Sequence, residues 1–408
     1  MSSLASSPTG PASGRHFDSA GFSAEFALLL ACCAVGNREA SSRALAACVD
    51  AGVDWHQVFR LAEHHSVLPL LYRALRGLSG AVPPGILGDL RDRYEHDARR
   101  NLKFTGELVR VLDCLEAHHV AAIPYKGPVL AETVYGDLAL RYFSDLDILV
   151  RPADVLRAKV ALQTLGYAPG SPLSEAEEHA YLATGYEYTF DGPEGRNLLE
   201  IQWGIVPRFY AVDFDCDQLF ERAATASVSG RIVRTLCSED LLLTLCVHAA
   251  KHAWIRLCWL RDVAGVVESQ GLDWNVTQQR ARDLGIQRMV GVSLQLAHRL
   301  LGASVPESMR ANWRRDRKIE NLCEEIAHHI PSVEEYNAES FKYFRLMLRL
   351  RERASDKLRF ALRLVFTPSM GEWAVVRLPA PLFPLYRILR IFRVVARLFR
   401  SSAATHSD

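Results

Sequence analysis

The stretch RYFSDLDILVRP, Arg141 to Pro152, sets Asp145 and Asp147 two residues apart at the mouth of the apolar run Ile148-Leu149-Val150. Such a run, short and closed by proline, reads as a strand. Residues two apart in a strand point to the same face, about 7 Å from one another. Two like charges held side by side raise each other's pKa unless a cation neutralises them. Any fold for this chain has to leave that strand end open to something that resolves the repulsion.

The neighbouring segments supply a sheet around it. VAAIPYKG, Val120 to Gly127, is apolar and closed by glycine, as a buried strand would be. Pro128 then opens a short helix and Gly136 ends it, the favoured placement of each residue. Asp154 reads as the N-cap of VLRAKVALQTLG, with Gly166 as its stop. YEYTF (Tyr186 to Phe190) and NLLEIQW (Asn197 to Trp203) follow as strands joined by DGPEG. In the second, Leu199, Ile201 and Trp203 share one face, and Glu200 and Gln202 the other. If that strand lies beside the first, at about 4.8 Å, three carboxylates meet on one patch. Hard divalent cations with oxygen ligands relieve such a cluster, and Mg²⁺ is the usual one where phosphates are involved. Two such ions, about 3.5–4 Å apart, can activate a hydroxyl and neutralise a leaving pyrophosphate.

At 408 residues the chain exceeds one simple core, which suggests two or three domains. Its 49% hydrophobic and 23% charged content fits neither a disordered nor a membrane-embedded protein. The nine cysteines lie mostly in apolar stretches without a CxxC pair, as small buried hydrophobes of a reducing compartment do. Residues 1–20, rich in Ser, Ala, Gly and Pro, read as a disordered tail. The run Phe26 to Val35 has no cationic cluster before it and reads as a buried helix rather than a signal peptide. A cytoplasmic location is expected.

The order YKGPVLAETVYGDLALRYFSDLDILVRPADVLRAKVALQTLGY followed by LLEIQW resembles the polymerase-β-type nucleotidyltransferase superfamily. More narrowly, it is similar to a bacterial family of uncharacterised nucleotidyltransferases, and the likeness extends to HAAKHAWIRLCWLRDVA and LPAPLFPLYRILR. The resemblance implies an α+β fold, a small mixed sheet flanked by N- and C-terminal helical domains. It also implies metal ligation by Asp145, Asp147 and Glu200, the last assisting deprotonation of the acceptor. The superfamily's Gly-Ser turn at the first strand reads Lys126-Gly127-Pro128 here, so the serine is missing. Gly127 and the helix start at Pro128 remain for phosphate contact, with Lys126 and Arg141 to neutralise charge and Ser144 to offer a hydroxyl. The expected organisation is a tail (1–20), a helical region (21–100), the core (101–210), a helical domain lining the cleft (211–340) and a basic helical region (341–408).

Beyond Asp217 the spacing is helical to about Ile330. His248 and His252 share a helix face but lack the glutamate and third ligand of a zinc site. That helix either lines the cleft, with Lys251 near the triphosphate and a histidine or Trp254 near base or acceptor, or is fixed by packing of Trp254, Arg256, Trp259 and Asp262. Residues 341–400 hold 14 lysines and arginines against 3 acidic residues, a net of +11 in a chain of net +1. In 385–400, Arg387, Arg390, Arg393, Arg397 and Arg400 fall within an arc of about 140°, opposite Ile388, Ile391 and Phe392. Such a helix could lie on an anionic membrane, bind nucleic acid nonspecifically or dock its apolar side on the acidic remainder. No stacking motif or recognition module supports a specific nucleic-acid partner.

The expected reaction is therefore Mg²⁺-dependent transfer of AMP from ATP to an acceptor hydroxyl, with release of pyrophosphate. A protein-adenylylating regulator and an inactive nucleotide-fold scaffold at the inner membrane surface are the alternatives. No residue names the acceptor, and a small molecule, a peptide and a protein all stay open.

Overall fold

The computed structural model describes residues 21–393 apart from 79, 172, 193–197, 270, 333–339, 369–375 and 377. The expected tail, 1–20, and the part of the basic helix after 393 lie outside the described residues. Four helices open the chain: α1 (Ala24–Cys33), α2 (Arg38–Asp50), α3 (Trp55–His64) and α4 (Leu68–Leu75). The α1 run is indeed a core helix, burying Phe26, Leu28, Leu29, Cys32 and Cys33. In α3 the Asp54 carboxylate accepts from the His56 and Gln57 N–H groups, and Val58, Leu61 and Ala62 face inward.

Pro84, at the first helical position, opens α5 (Pro84–Ala117), whose 34 residues span about 51 Å. This helix runs through the expected boundary at 100/101. Its Leu90 belongs to the core of α1–α4, whereas Phe104, Leu108, Val111, Leu112 and Leu115 pack under the sheet. One helix thus stiffens both regions.

The sheet comprises β1 (Ala122–Pro124), β2 (Asp145–Val150), β3 (Ala168–Pro169), β4 (Glu187–Asp191) and β5 (Leu198–Gln202), in the order β1-β2-β5-β4-β3. Only β2 and β5 are parallel, so the sheet is mixed. Between β1 and β2, α6 (Gly127–Leu130) continues as a π turn, Ala131–Tyr135, and ends at Gly136. The helices α7 (Val155–Thr164) and α8 (Glu175–Thr184) follow β2 and β3. Asp154 does occupy the N-cap position of α7, but its carboxylate pairs with Arg157 at 3.2 Å rather than with a backbone N–H.

After α9 (Cys216–Glu221) the chain does not return directly to helix, contrary to the periodicity reading. It forms a hairpin of β6 (Ala224–Val228) and β7 (Arg231–Thr235). Ser229 and Gly230, at φ +51° and +81°, make the two-residue turn that suits a right-twisted ribbon. The remaining helices are α10 (Ser238–Lys251), α11 (Leu257–Glu268), α12 (Trp274–Asp283), α13 (Gln287–Leu301), α14 (Glu307–Arg315), α15 (Arg317–His329), α16 (Phe341–Arg349) and α17 (Ala354–Phe366). They share one apolar core with α1–α4, so the helical regions expected at 21–100 and 211–340 are packed together.

A short helix over 386–393 ends the described chain. It turns Tyr386 and Arg390 inward, with Arg390 Nε donating to the Leu364 carbonyl at 3.1 Å. Ile388 and Phe392 stay exposed. Docking of its apolar side on the remainder, one of the three readings of the basic helix, is thereby corrected for these residues.

Two buried contacts hold the loop that leads into β2. The Asn101 amide, on α5, donates to the carbonyls of Leu138 and Arg141 at 2.7 and 2.9 Å. The Arg141 guanidinium grips Asp262 of α11 through Nε and Nη2, both at 2.9 Å, and Tyr135 donates to the same carboxylate at 2.7 Å. Removing one partner of such a pair leaves an uncompensated buried charge. Arg141→Ala is expected to cost about 3–5 kcal/mol in urea unfolding. Adding Asp262→Ala should return part of that loss, and strict additivity would contradict the coupling.

Candidate active site

Strand register decides what the site can be. In the parallel β2–β5 ladder Asp147 stands directly opposite Glu200, and Asp145 opposite Leu198. Partners across a ladder share a face, so Asp145, Asp147 and Glu200 occupy one side of the sheet. The opposite side carries Leu146, Ile148, Leu199 and Ile201, all buried against α5 and α7. In the antiparallel β4–β5 ladder Glu187 stands opposite Gln202, which brings a fourth carboxylate to the polar side.

The buried groups interlock. Lys126 Nζ donates to Asp147 Oδ1 at 2.9 Å. The Gln202 amide donates to the same oxygen at 3.0 Å and to Glu200 Oε2 at 2.8 Å, while the Tyr125 hydroxyl donates to the Gln202 carbonyl oxygen. One glutamine therefore spaces two carboxylates, and a tyrosine fixes which way its amide points.

Charge is not balanced across this patch. Burial, then the neighbouring Asp147 and Glu187 carboxylates, push the Glu200 carboxyl up to about 8. Burial and Asp147 also raise Asp145. Glu187 is raised by burial, against the opposing pull of the Tyr186 hydroxyl and Lys251. Lys126 is lowered by burial, but the Asp147 charge outweighs that and holds it above the usual lysine value.

The remaining expected residues fall as follows. Gly127 is buried at φ +52°, where an added Cβ would sit 3.4 Å from the Asp145 carbonyl; the left-handed backbone and tight space both favour glycine. Ser144 is exposed beside Asp145. Arg141 reaches Asp145 only as a nearby positive charge, since its fork is engaged by Asp262. Lys251, at the end of α10, faces Glu187 and lies 5.5 Å over the Tyr186 ring; burial lowers its pKa, which Glu187 partly opposes. Tyr343 of α16 ties this end of α10 down by donating to the Lys251 carbonyl at 2.7 Å.

His248 of α10 and His252, just past its end, form an aromatic cluster with Trp259, His252 lying 4.8 Å from both His248 and the indole. Burial, with Lys251 and Lys126 nearby, pushes His252 down to about 3; burial and Lys126 hold His248 well below its ordinary value. Both are neutral at physiological pH. Trp254 is fully buried and donates to Ser293 at 2.8 Å, so its role is packing and not contact with base or acceptor.

The carboxylates match a hard divalent cation in donor type and in shared face, and the raised Glu200 and Asp145 carboxyls are what an unneutralised ligand set would show. Among the described residues no three ligating side chains converge closely enough to hold a metal as they stand. The nearest cation to Asp147 is the Lys126 ammonium.

Glu187, Gln202 and Tyr125 were not assigned roles from the sequence. The signal for Glu187 was present: in YEYTF the aromatic residues alternate with Glu187 and Thr189, which puts both on the polar side. A further cavity of about 630 Å³ opens beside Tyr142, three residues before Asp145, and is lined also by Arg100, Arg256, His96 and Leu68.

The model of a family described as uncharacterised nucleotidyltransferase matches residues 51–302. Among solved structures, the chain is similar to the antibiotic-resistance factor ANT(2'')-Ia, at 14% identity over 56% of this chain and 98% of that one, with a TM-score of 0.29. No curated protein matches the chain.

A carboxyl raised from 4.5 to about 8 makes folding pH-dependent. The folded state binds the Glu200 proton more tightly, so this stability is complete below pH 4.5 and is lost as pH rises through about 8. Glu200→Gln should therefore unfold at higher urea than the parent at pH 8.5 without divalent ions, by about 1–3 kcal/mol, and gain little at pH 5. Equal shifts at both pH values would show that Glu200 is not strained.

Proposed function

This chain belongs to the uncharacterised nucleotidyltransferase family, and we propose that it moves AMP from ATP to an acceptor hydroxyl with release of pyrophosphate, in the cytoplasm and with Mg²⁺. The observation that carries this reading is the register of Asp147 against Glu200, with Asp145 one pleat away on the same side. Nucleotidyl transfer needs little covalent work from a protein; it needs charge neutralised and atoms aligned.

Asp145, Asp147 and Glu200 would hold one or two magnesium ions. Bound there, the ions would supply positive charge to the triphosphate and the departing pyrophosphate. Lys126, which donates to Asp147, would be the cation nearest a bound triphosphate and would supply positive charge to it. Gln202 keeps Asp147 and Glu200 apart and oriented throughout. Glu200, held at about 8 by burial and by Asp147 and Glu187, would as a carboxylate accept the acceptor's hydroxyl proton. Lys251 adds positive charge at the Glu187 edge.

Calorimetric titration with nonhydrolysable analogues of the four nucleoside triphosphates tests this. Magnesium-dependent binding of the ATP analogue is expected, weakened at least about tenfold by Asp147→Asn. Binding of none of the four, or binding indifferent to both magnesium and the substitution, would contradict the assignment.

A further inference from the structure

Two helices near the C-terminus expose apolar residues on their outer side. On α17, Leu358, Leu362 and Phe366 follow at intervals of four, so they form one line, and they are 61%, 48% and 47% exposed. The inward side of the same helix buries Phe360 and Leu364 together with Asp356, and Arg359 and Arg363 both pair with Asp213. The helix over 386–393, pinned to α17 by Arg390 on the Leu364 carbonyl, repeats the pattern with Ile388 and Phe392 at 49% and 68% exposure. Exposed apolar stripes on two elements joined at one buried junction imply something that covers them.

A basic recess adjoins the first stripe. A cavity of about 390 Å³ is lined by Lys318, Asn321, Arg345, Leu348, Arg349 and Lys357, with no acidic residue in its lining. Arg349 is paired with Glu325, whereas Lys318, Arg345 and Lys357 have no ion-pair partner among the described residues. Lys357 is the residue before Leu358, so cations and apolar stripe meet on one helix. The surrounding segment, 341–400, carries net +11.

We propose that this face is a peripheral membrane-binding surface: the basic recess takes the phosphate of an anionic phospholipid headgroup, and Leu358, Leu362 and Phe366 enter the interface beside it. Charge selects the occupant. A second copy presenting the same face would set one basic segment against another, while an anionic bilayer offers both the phosphates and the apolar boundary that the two features need. No described helix is long and apolar enough to cross a membrane, which suits a chain that rests on one. This surface is separate from the carboxylate site, and its test does not depend on nucleotide chemistry.

Flotation of the full chain with vesicles is the test, using phosphatidylcholine alone or mixed with phosphatidylglycerol. The chain is expected to float with the anionic vesicles and not with the neutral ones, and to be released by salt. Arg345→Glu with Lys357→Glu, and separately Leu358→Ser with Leu362→Ser, should each weaken binding about tenfold or more. Leu102→Ser, at an exposed leucine on α5, should leave it unchanged. The proposal is overturned if the chain ignores anionic vesicles, if the paired variants bind like the parent, or if glycerol phosphate binds the recess while vesicles do not. A dimer in sedimentation that Leu358→Ser with Leu362→Ser abolishes would also overturn it, assigning the stripe to a second copy.

Discussion

The parallel pairing of β2 with β5 is the constraint from which the rest follows. It sets Asp147 directly against Glu200, with Asp145 and Glu187 on the same side, so four carboxylates share one half-buried surface. A sheet does not hold such a surface by itself. Lys126 and Gln202 occupy Asp147, Tyr125 orients Gln202, and Glu200 stays protonated near neutrality. The neutralisation is incomplete, and that incompleteness is what a cation and a triphosphate would use.

Precision at this patch is supplied from outside the sheet. The loop into β2 is held on one side by Asn101 of α5 and on the other by Asp262 of α11, through Arg141. Because α5 also joins the opening helices, and these share a core with α10–α16, the carboxylates are positioned by most of the chain. Lys251 belongs to the same logic: α10 delivers it to the Glu187 edge, and Tyr343 of α16 fixes the turn that carries it. The helical domains are thus part of the site's construction.

Much of this was legible in the sequence, for identifiable reasons. The alternations Asp145-Leu146-Asp147 and Leu199-Glu200-Ile201 carry face information with a period of two, so the shared polar side could be read before any pairing was known. The helix-ending glycines, Gly136 and Gly166, marked boundaries in the same local way. What could not be read depends on long-range partners. Arg141 looks like a phosphate ligand until Asp262, 121 residues away, is seen to take its fork. Trp254 looks available to a ligand until Ser293 is found beside it. Nothing between Pro84 and His118 interrupts a helix that serves two cores, so the division expected at 100/101 falls inside α5. The 386–393 helix was read correctly as amphipathic, yet a wheel ranks faces by polarity and cannot foresee that Arg390 reaches a buried carbonyl.

The claim that the crowded carboxylates are one cation-binding unit is tested most directly by counting protons. At pH 7 Glu200, held at about 8, must lose its proton when a divalent ion binds. Titrating magnesium into the chain with a nonhydrolysable ATP analogue, in buffers of different ionisation enthalpy, measures that release. The account predicts release of close to one proton per chain, abolished by Glu200→Gln. Magnesium binding without proton release, or release undiminished in that variant, would contradict it.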